Sequence, residues 1–135
     1  MKFTFKYRRE EAKKRIIYRP IVKLSLKSTD GRWYMFTAYV DSGADVSMLP
    51  KGDAELLGIR IYAGEYWPLT GIGRAIIPAY LHEVMARIGT LEFPMHVAFA
   101  DSDEVPRIVG RADVFTRFRI MFDEQNLQTI FQTYE

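Results

Sequence analysis

Asp41 is the residue best placed to do chemistry in this 135-residue chain. It follows the run Trp33-Tyr34-Met35-Phe36-Thr37-Ala38-Tyr39-Val40 and opens straight into Ser42-Gly43-Ala44-Asp45. The run is rich in aromatic and branched residues and too uniformly apolar for a solvent face, which predicts a buried strand. Such a strand would deliver the Asp41 carboxylate into a tight turn at a fixed place, as general acid or base chemistry requires. Ser42 offers a hydroxyl to the turn, and Gly43 permits a positive φ or the close approach of another chain. Asp, Ser and Gly are also the commonest turn formers, so the triplet taken alone reads as a plain turn.

Other chemistry finds little support. His82-Glu83-Val84-Met85-Ala86 begins like a zinc-protease helix, but Ala86 stands where the second histidine is needed, and nearby Pro78 suggests a strand. His82 and His96 read as structural. Gly71-Ile72-Gly73 is followed by Arg74-Ala75-Ile76, so a dinucleotide fingerprint fails at its third glycine. The chain has no cysteine, which excludes disulfides and thiolate metal sites. No metal and no cofactor are expected.

Taken in order, three segments make the turn more specific. Tyr39-Val40-Asp41-Ser42-Gly43-Ala44 resembles the catalytic turn of the retropepsin-like aspartic proteases. Leu69-Thr70-Gly71-Ile72-Gly73 stands where that family has the glycine tip of a mobile flap. Arg107-Ile108-Val109-Gly110-Arg111-Ala112-Asp113-Val114 is similar to its late strand leading into a short helix. The resemblance spans roughly Pro20 to Phe122, and it implies an aspartic endopeptidase acting on peptide bonds.

That chemistry needs two carboxyl groups sharing one proton, one ionised to activate a water and one protonated to polarise the scissile carbonyl. The chain holds a single Asp-Ser/Thr-Gly. Asp101-Ser102-Asp103 lacks the glycine and reads as an acidic loop. The second carboxylate is therefore expected from Asp41 of a second copy across a two-fold axis, where like residues meet. The resemblance further implies that Asp45 contacts the substrate main chain and is buttressed by Arg111 through a two-pronged ion pair. Gly110 precedes that arginine, and Ala44 would lie against substrate backbone. Gly71, Ile72 and Gly73 would form a lid that excludes water. Arg74 replaces a glycine common in relatives. A catalytically silent dimeric peptide-binding module on the same fold is the alternative.

Composition agrees with one folded domain: 48% of residues are hydrophobic and 14% aromatic, which excludes a disordered chain. The amino terminus has no signal-like apolar stretch and no run nears the ~20 residues of a membrane span, so a soluble, cytoplasmic protein is expected, with no membrane partner. The net charge of +2 is uneven: residues 1–20 carry +6 and the rest −4. This basic arm, residues 1–19, could contact nucleic acid or an acidic membrane surface, or be a solvated arm or an edge strand from Phe3, Phe5 and Tyr7 whose charges keep it soluble. No nucleic-acid motif accompanies it.

The elements that must position these residues read almost entirely as strands. Val22, Leu24 and Leu26 alternate with Lys23, Ser25 and Lys27, and Asp30-Gly31 turns into the run that ends at Asp41. Val46 to Leu49 is short and stopped by Pro50. Asp53 to Gly58 is expected as a helical turn with Asp53 as N-cap, and Arg111 to Arg117 as the only other helix. Two extended stretches meet at Gly89-Thr90, and Phe118 to Phe131 reads as a hairpin turning at 123–126. Short strands with regular turns and little helix indicate an all-β barrel or sandwich, and the resemblance implies a retropepsin-like closed barrel with one short helix in its C-terminal half, completed as a homodimer. Its divisions are the arm 1–19, a protease core 20–122 and a C-terminal hairpin strand 123–135.

Overall fold

A computed structural model describes residues 1–134. In chain order its strands are β1 (Lys2–Lys6), β2 (Arg8–Ala12), β3 (Arg15–Arg19), β4 (Ile21–Lys27), β5 (Trp33–Val40) and β6 (Ser47–Leu49). The helix α1 (Lys51–Leu56) follows. Then come β7 (Glu65–Tyr66), β8 (Leu69–Thr70), β9 (Ile76–Ile77), β10 (Ala79–Ile88), β11 (Leu91–Ala100), β12 (Ile108–Val109), β13 (Phe118–Asp123) and β14 (Gln128–Thr133).

The main sheet runs β11-β6-β12-β5-β4-β10-β7, and β10 pairs in addition with β11, so the pairing runs round six strands. The seam between β4 and β10 is only two residue pairs, Ala86 with Leu26 and Arg87 with Ser25. The expected closed barrel therefore takes the form of a rolled mixed sheet. Inside it lie Val22, Leu24 and Leu26 of β4, Phe36, Ala38 and Val40 of β5, and Met95, Val97 and Phe99 of β11. Each fully buried large side chain contributes about 1.5–3 kcal/mol relative to exposure.

A second sheet, β1-β14-β13, holds the first and the last strand. Of the readings of the arm, its first part follows the edge strand: β1 pairs with β14 from Lys2 opposite Gln132 to Lys6 opposite Gln128. Phe3 and Phe5 turn toward the core while Lys2, Thr4 and Lys6 face solvent. The β10–β11 turn explains how this sheet docks. Gly89 has φ +60°, and a Cβ there would lie 2.2 Å from the Phe3 ring. Phe118 then packs edge-on against Phe93 and Phe131, with centroids 5.8 and 5.4 Å away, joining the two sheets.

Three expectations need correction. Strand β5 is buried on one face only: Phe36, Ala38 and Val40 are inside, whereas Met35 is 67% exposed. Its outward face is covered only in part, by Arg87 over Trp33 and by Glu10, Arg8 and Arg19 about Tyr39, so apolar content alone overstated its burial. The helix near residue 53 begins after Pro50, and Asp53 lies within it, buried, with no capping bond from its side chain. The late helix is absent. Residues 111–117 wind through successive turns, because Asp113 takes φ +66° and interrupts the right-handed path.

Candidate active site

The site is built where two loops interlock. Strand β12 lies parallel to β5, Ile108 beside Tyr39 and Val109 beside Val40. The Asp41 N–H then donates to the Val109 carbonyl at 3.0 Å, so β12 pins the end of β5. The Asp41 Oδ1 accepts the Gly43 N–H at 2.8 Å, and the Ala44 N–H reaches the Asp41 carbonyl at 3.3 Å. This local network orients the carboxylate. Asp41 is exposed and, among the described residues, is in no ion pair.

Gly110 brings the second loop against the first. Its N–H donates to the buried Ser47 Oγ at 3.0 Å, and the next two N–H groups, of Arg111 and Ala112, donate to the carbonyls of Ala44 and Asp45, both at 2.9 Å. A Cβ on Gly110 would stand 2.4 Å from the Val46 carbonyl oxygen, so only glycine permits this approach. Arg111 does reach Asp45 through one guanidinium nitrogen. The pair is not the buried, two-pronged buttress the sequence suggested: the Asp45 side chain is 84% exposed and that of Arg111 53%.

The buried two-pronged pair lies nearby and has different members. Arg107 Nε and Nη2 donate to Asp53 Oδ2 and Oδ1 at 2.7 and 3.0 Å, with the Asp53 side chain only 7% exposed. The Asp53 hydrogen bonds hold the Arg107 guanidinium above its ordinary range, partly offset by burial. Since Tyr39 donates its N–H to the Arg107 carbonyl, α1, β12 and β5 are tied together just upstream of Asp41. The acidic loop secures the first turn of the same helix, Asp103 accepting the Gly52 N–H at 2.7 Å and Asp101 pairing with Lys51 at 3.5 Å.

The flap segment forms the β8–β9 hairpin, closed by the Gly71 N–H on the Ala75 carbonyl at 3.0 Å. Ile72 stands fully exposed at its tip, and Gly73 and Arg74 take φ of +82° and +63°. Arg74 thus occupies a backbone region where glycine carries no steric penalty. Hairpin and turn face one another across an open cleft of about 670 Å³, lined by Asp41, Gly43, Ala44, Asp45, Gly71 and Ile72 among others. Ser42, Gly73, Gly110 and Arg111 lie outside its wall.

Several wall residues escaped sequence reasoning. Met48, Trp67, Ile77 and Ile108 supply the apolar surface of the cleft. Ile108 was within reach, since it sits two residues before Gly110 in the segment already singled out. A further cavity of about 460 Å³ has Asp41 in its wall together with Glu10, Arg19, Tyr39, Pro106 and Ile108. Nothing in the local sequence signals that residues 10 and 19 return to Asp41. The Tyr39 hydroxyl donates to Glu10 at 2.5 Å, and that bond, with burial, raises the phenol above its ordinary range against the opposing pull of Arg8 and Arg19.

The two histidines have structural partners. His82 Nε2 lies 2.8 Å from the Ile61 carbonyl, and the His96 backbone N–H and Nδ1 lie 2.8 and 2.9 Å from Asp113 Oδ2.

Two solved structures resemble this chain in fold. A retropepsin-like aspartic protease from Rickettsia conorii superposes with a TM-score of 0.67 at 16% identity, over 96% of this chain and 98% of that one. EIAV protease in an inhibitor complex gives 0.55 at 20% identity, over 69% of this chain and 82% of that one. The chain has the retropepsin-like fold. No protein-family model matches its sequence, and no curated protein matches it either. Within this retropepsin-like fold the Asp41 turn and the hairpin line one cleft, with the 110–112 loop interlocked behind the turn, and together they form the candidate site. No helix among the described residues is long and apolar enough to cross a membrane.

Proposed function

We propose that this chain is an aspartic endopeptidase whose active site forms from two Asp41 carboxylates, one from each copy of a homodimer. The observation that carries the reading is an exposed Asp41, oriented by the Gly43 N–H and facing the β8–β9 hairpin across an open cleft. Likeness of fold to aspartic proteases supports it. One domain, residues 1–135, supplies half of the site.

In the complete site the ionised carboxylate takes a proton from a bound water as its oxygen bonds to the peptide carbonyl carbon. The protonated carboxyl donates to the carbonyl oxygen, which stabilises the tetrahedral intermediate. Proton delivery to the amide nitrogen then lets the C–N bond break, releasing an acid and an amine. The cleft's apolar wall accepts peptide side chains, and closure of Gly71 to Gly73 over the peptide excludes water. Asp45 and Ala44, beside the turn, contact the substrate backbone.

The test is Asp41→Asn, assayed on a broad peptide library from acid to neutral pH. Asn keeps the shape but can neither serve as base nor share the proton, so turnover falls by at least ~10²–10⁴-fold while fold and dimer persist. Wild-type specific activity should also drop on dilution, since a monomer holds half a site. Full activity in the Asn variant would sink the assignment. A folded, dimeric wild type inert at every pH would favour the silent binding module.

A further inference from the structure

Strands β2 and β3 pair only with each other, forming a ribbon outside both larger sheets. A lone two-stranded ribbon is marginal in water, so its attachment and its uncovered surface both call for explanation. Its root is clasped to β5: Glu10 accepts the Tyr39 hydroxyl and pairs with Arg19 and Arg8 at 3.3 and 3.6 Å. The guanidinium carbons of Arg8 and Arg19 lie 5.9 and 5.6 Å from the centroid of the Tyr39 ring. Tyr39 is the penultimate residue of β5, two before Asp41 in the turn. The clasp therefore fixes the ribbon beside the carboxylate, where its root shares a cavity wall with Asp41.

The opposite face is uncovered. The register sets Glu11 across from Ile16 and Arg9 across from Tyr18, on the side turned away from Glu10. Ile16 is 53% and Tyr18 43% exposed, and the one acid on this face, Glu11, is paired with Arg9. The turn is formed by Lys13 and Lys14 with φ of +50° and +64°, positions that Asn-Gly would fill with less strain. Lysines there hold two charges at the ribbon's tip. Residues 8–19 carry a net +4, while the remainder of the chain carries −2.

We propose that the β2–β3 ribbon is an arm that docks its Ile16 and Tyr18 face onto the body of a second copy of this chain, flanking the shared Asp41 face. The proposal rests on the dimeric reading above. A copy whose Asp41 approaches this one also approaches the ribbon root, which brings the protruding ribbon within reach of that copy's body. Like charge keeps two arms apart, and opposite charge draws each arm to its partner's body. Glu11 within the docking face disfavours a phosphate backbone as occupant.

Sedimentation velocity across a concentration series, on wild type and on the Ile16→Glu, Tyr18→Glu double variant, tests it. The variant should raise the dimer Kd at least tenfold, and activity at fixed concentration should fall in step with dimer fraction. Circular dichroism checks the fold, and an Ile16→Ser, Tyr18→Ser pair replaces the glutamates if these unfold the chain. In wild type, hydrogen exchange at residues 15–18 should slow as concentration rises through the Kd. A wild-type dimer whose Kd and exchange are unmoved overturns the arm alone. A wild type that is monomeric yet fully active overturns the dimeric reading and the arm with it. Salt-sensitive binding of a fluorescent single-stranded oligonucleotide that is lost in Lys13→Gln, Lys14→Gln, with the dimer Kd unchanged, would reassign the arm to nucleic acid.

Discussion

Two Asp–Arg pairs flank the two-residue strand β12, Arg107 with Asp53 before it and Arg111 with Asp45 after it. The first is two-pronged around a carboxylate that is only 7% exposed; the second is a single contact whose acid is 84% exposed. The residue types are the same and the environments are opposite. Solvent screens the outer pair and leaves its members little to lose when separated. Burial makes the inner pair costly to break, because the orphaned Asp53 carboxylate would be left largely shielded from the water that could replace the guanidinium. A pair next to a candidate site can thus serve ligand contact, while the one behind it carries the stability.

The largest effect expected from this contrast is at Arg107. Arg107→Ala should destabilise the fold by about 2–3 kcal/mol, below the ~3–5 kcal/mol of a fully buried pair because the Arg107 side chain is 41% exposed. Chemical denaturation measures this, and Arg107→Lys should recover only part, since an ammonium cannot reproduce the fork. Asp53→Asn combined with Arg107→Ala should cost less than the sum of the singles. Strict additivity would erase the distinction between the two pairs.

A smaller effect is expected at the other end of β12. Arg111→Ala should cost no more than about 0.5 kcal/mol in the monomer, with near-additive behaviour against Asp45→Asn. If peptide backbone binds Asp45 as proposed, the same variant should raise KM more than it lowers kcat. A loss of stability at Arg111 as large as at Arg107 would show that the outer pair becomes buried in the assembled dimer.

The smallest effect concerns Asp113, in the turns just after the outer pair. Burial pushes its carboxyl up, but the His96 backbone N–H and ring, with Arg117, outweigh this and hold it below the ordinary value near 3.8. A carboxylate whose folded pKa is lowered stabilises the fold above its unfolded value, and that contribution disappears as pH falls through the folded one. The melting-temperature gap between wild type and Asp113→Asn should therefore be constant above about pH 5 and close as pH falls below about 3.8. A gap that widens toward acid would mean the carboxyl is raised, with burial dominating.

Much of this molecule was legible in local pattern. Alternation in residues 21–27, the turn at Asp30-Gly31 and the paired stretches around Gly89-Thr90 yield β4, β5, β10 and β11, because strand period and turn chemistry are properties of adjacent residues. The order of Asp-Ser-Gly, a glycine hairpin and Val-Gly-Arg pointed to the retropepsin-like fold, and the structure sets the turn and the hairpin across one cleft. The late helix misled because its pattern is helical while Asp113 alone takes the left-handed conformation that lets it accept from His96, a residue on another strand.

What adjacent residues determined was that Asp41 ends a strand in a tight turn and that the chain is built of short strands. Tertiary structure alone decided which arginine each aspartate meets, how deeply each pair is buried, and that Glu10 and Arg19 come back to Tyr39 beside Asp41. The physical reason is that solvent exposure and charge pairing depend on which distant segments pack together. A carboxylate's immediate neighbours in sequence carry no record of that.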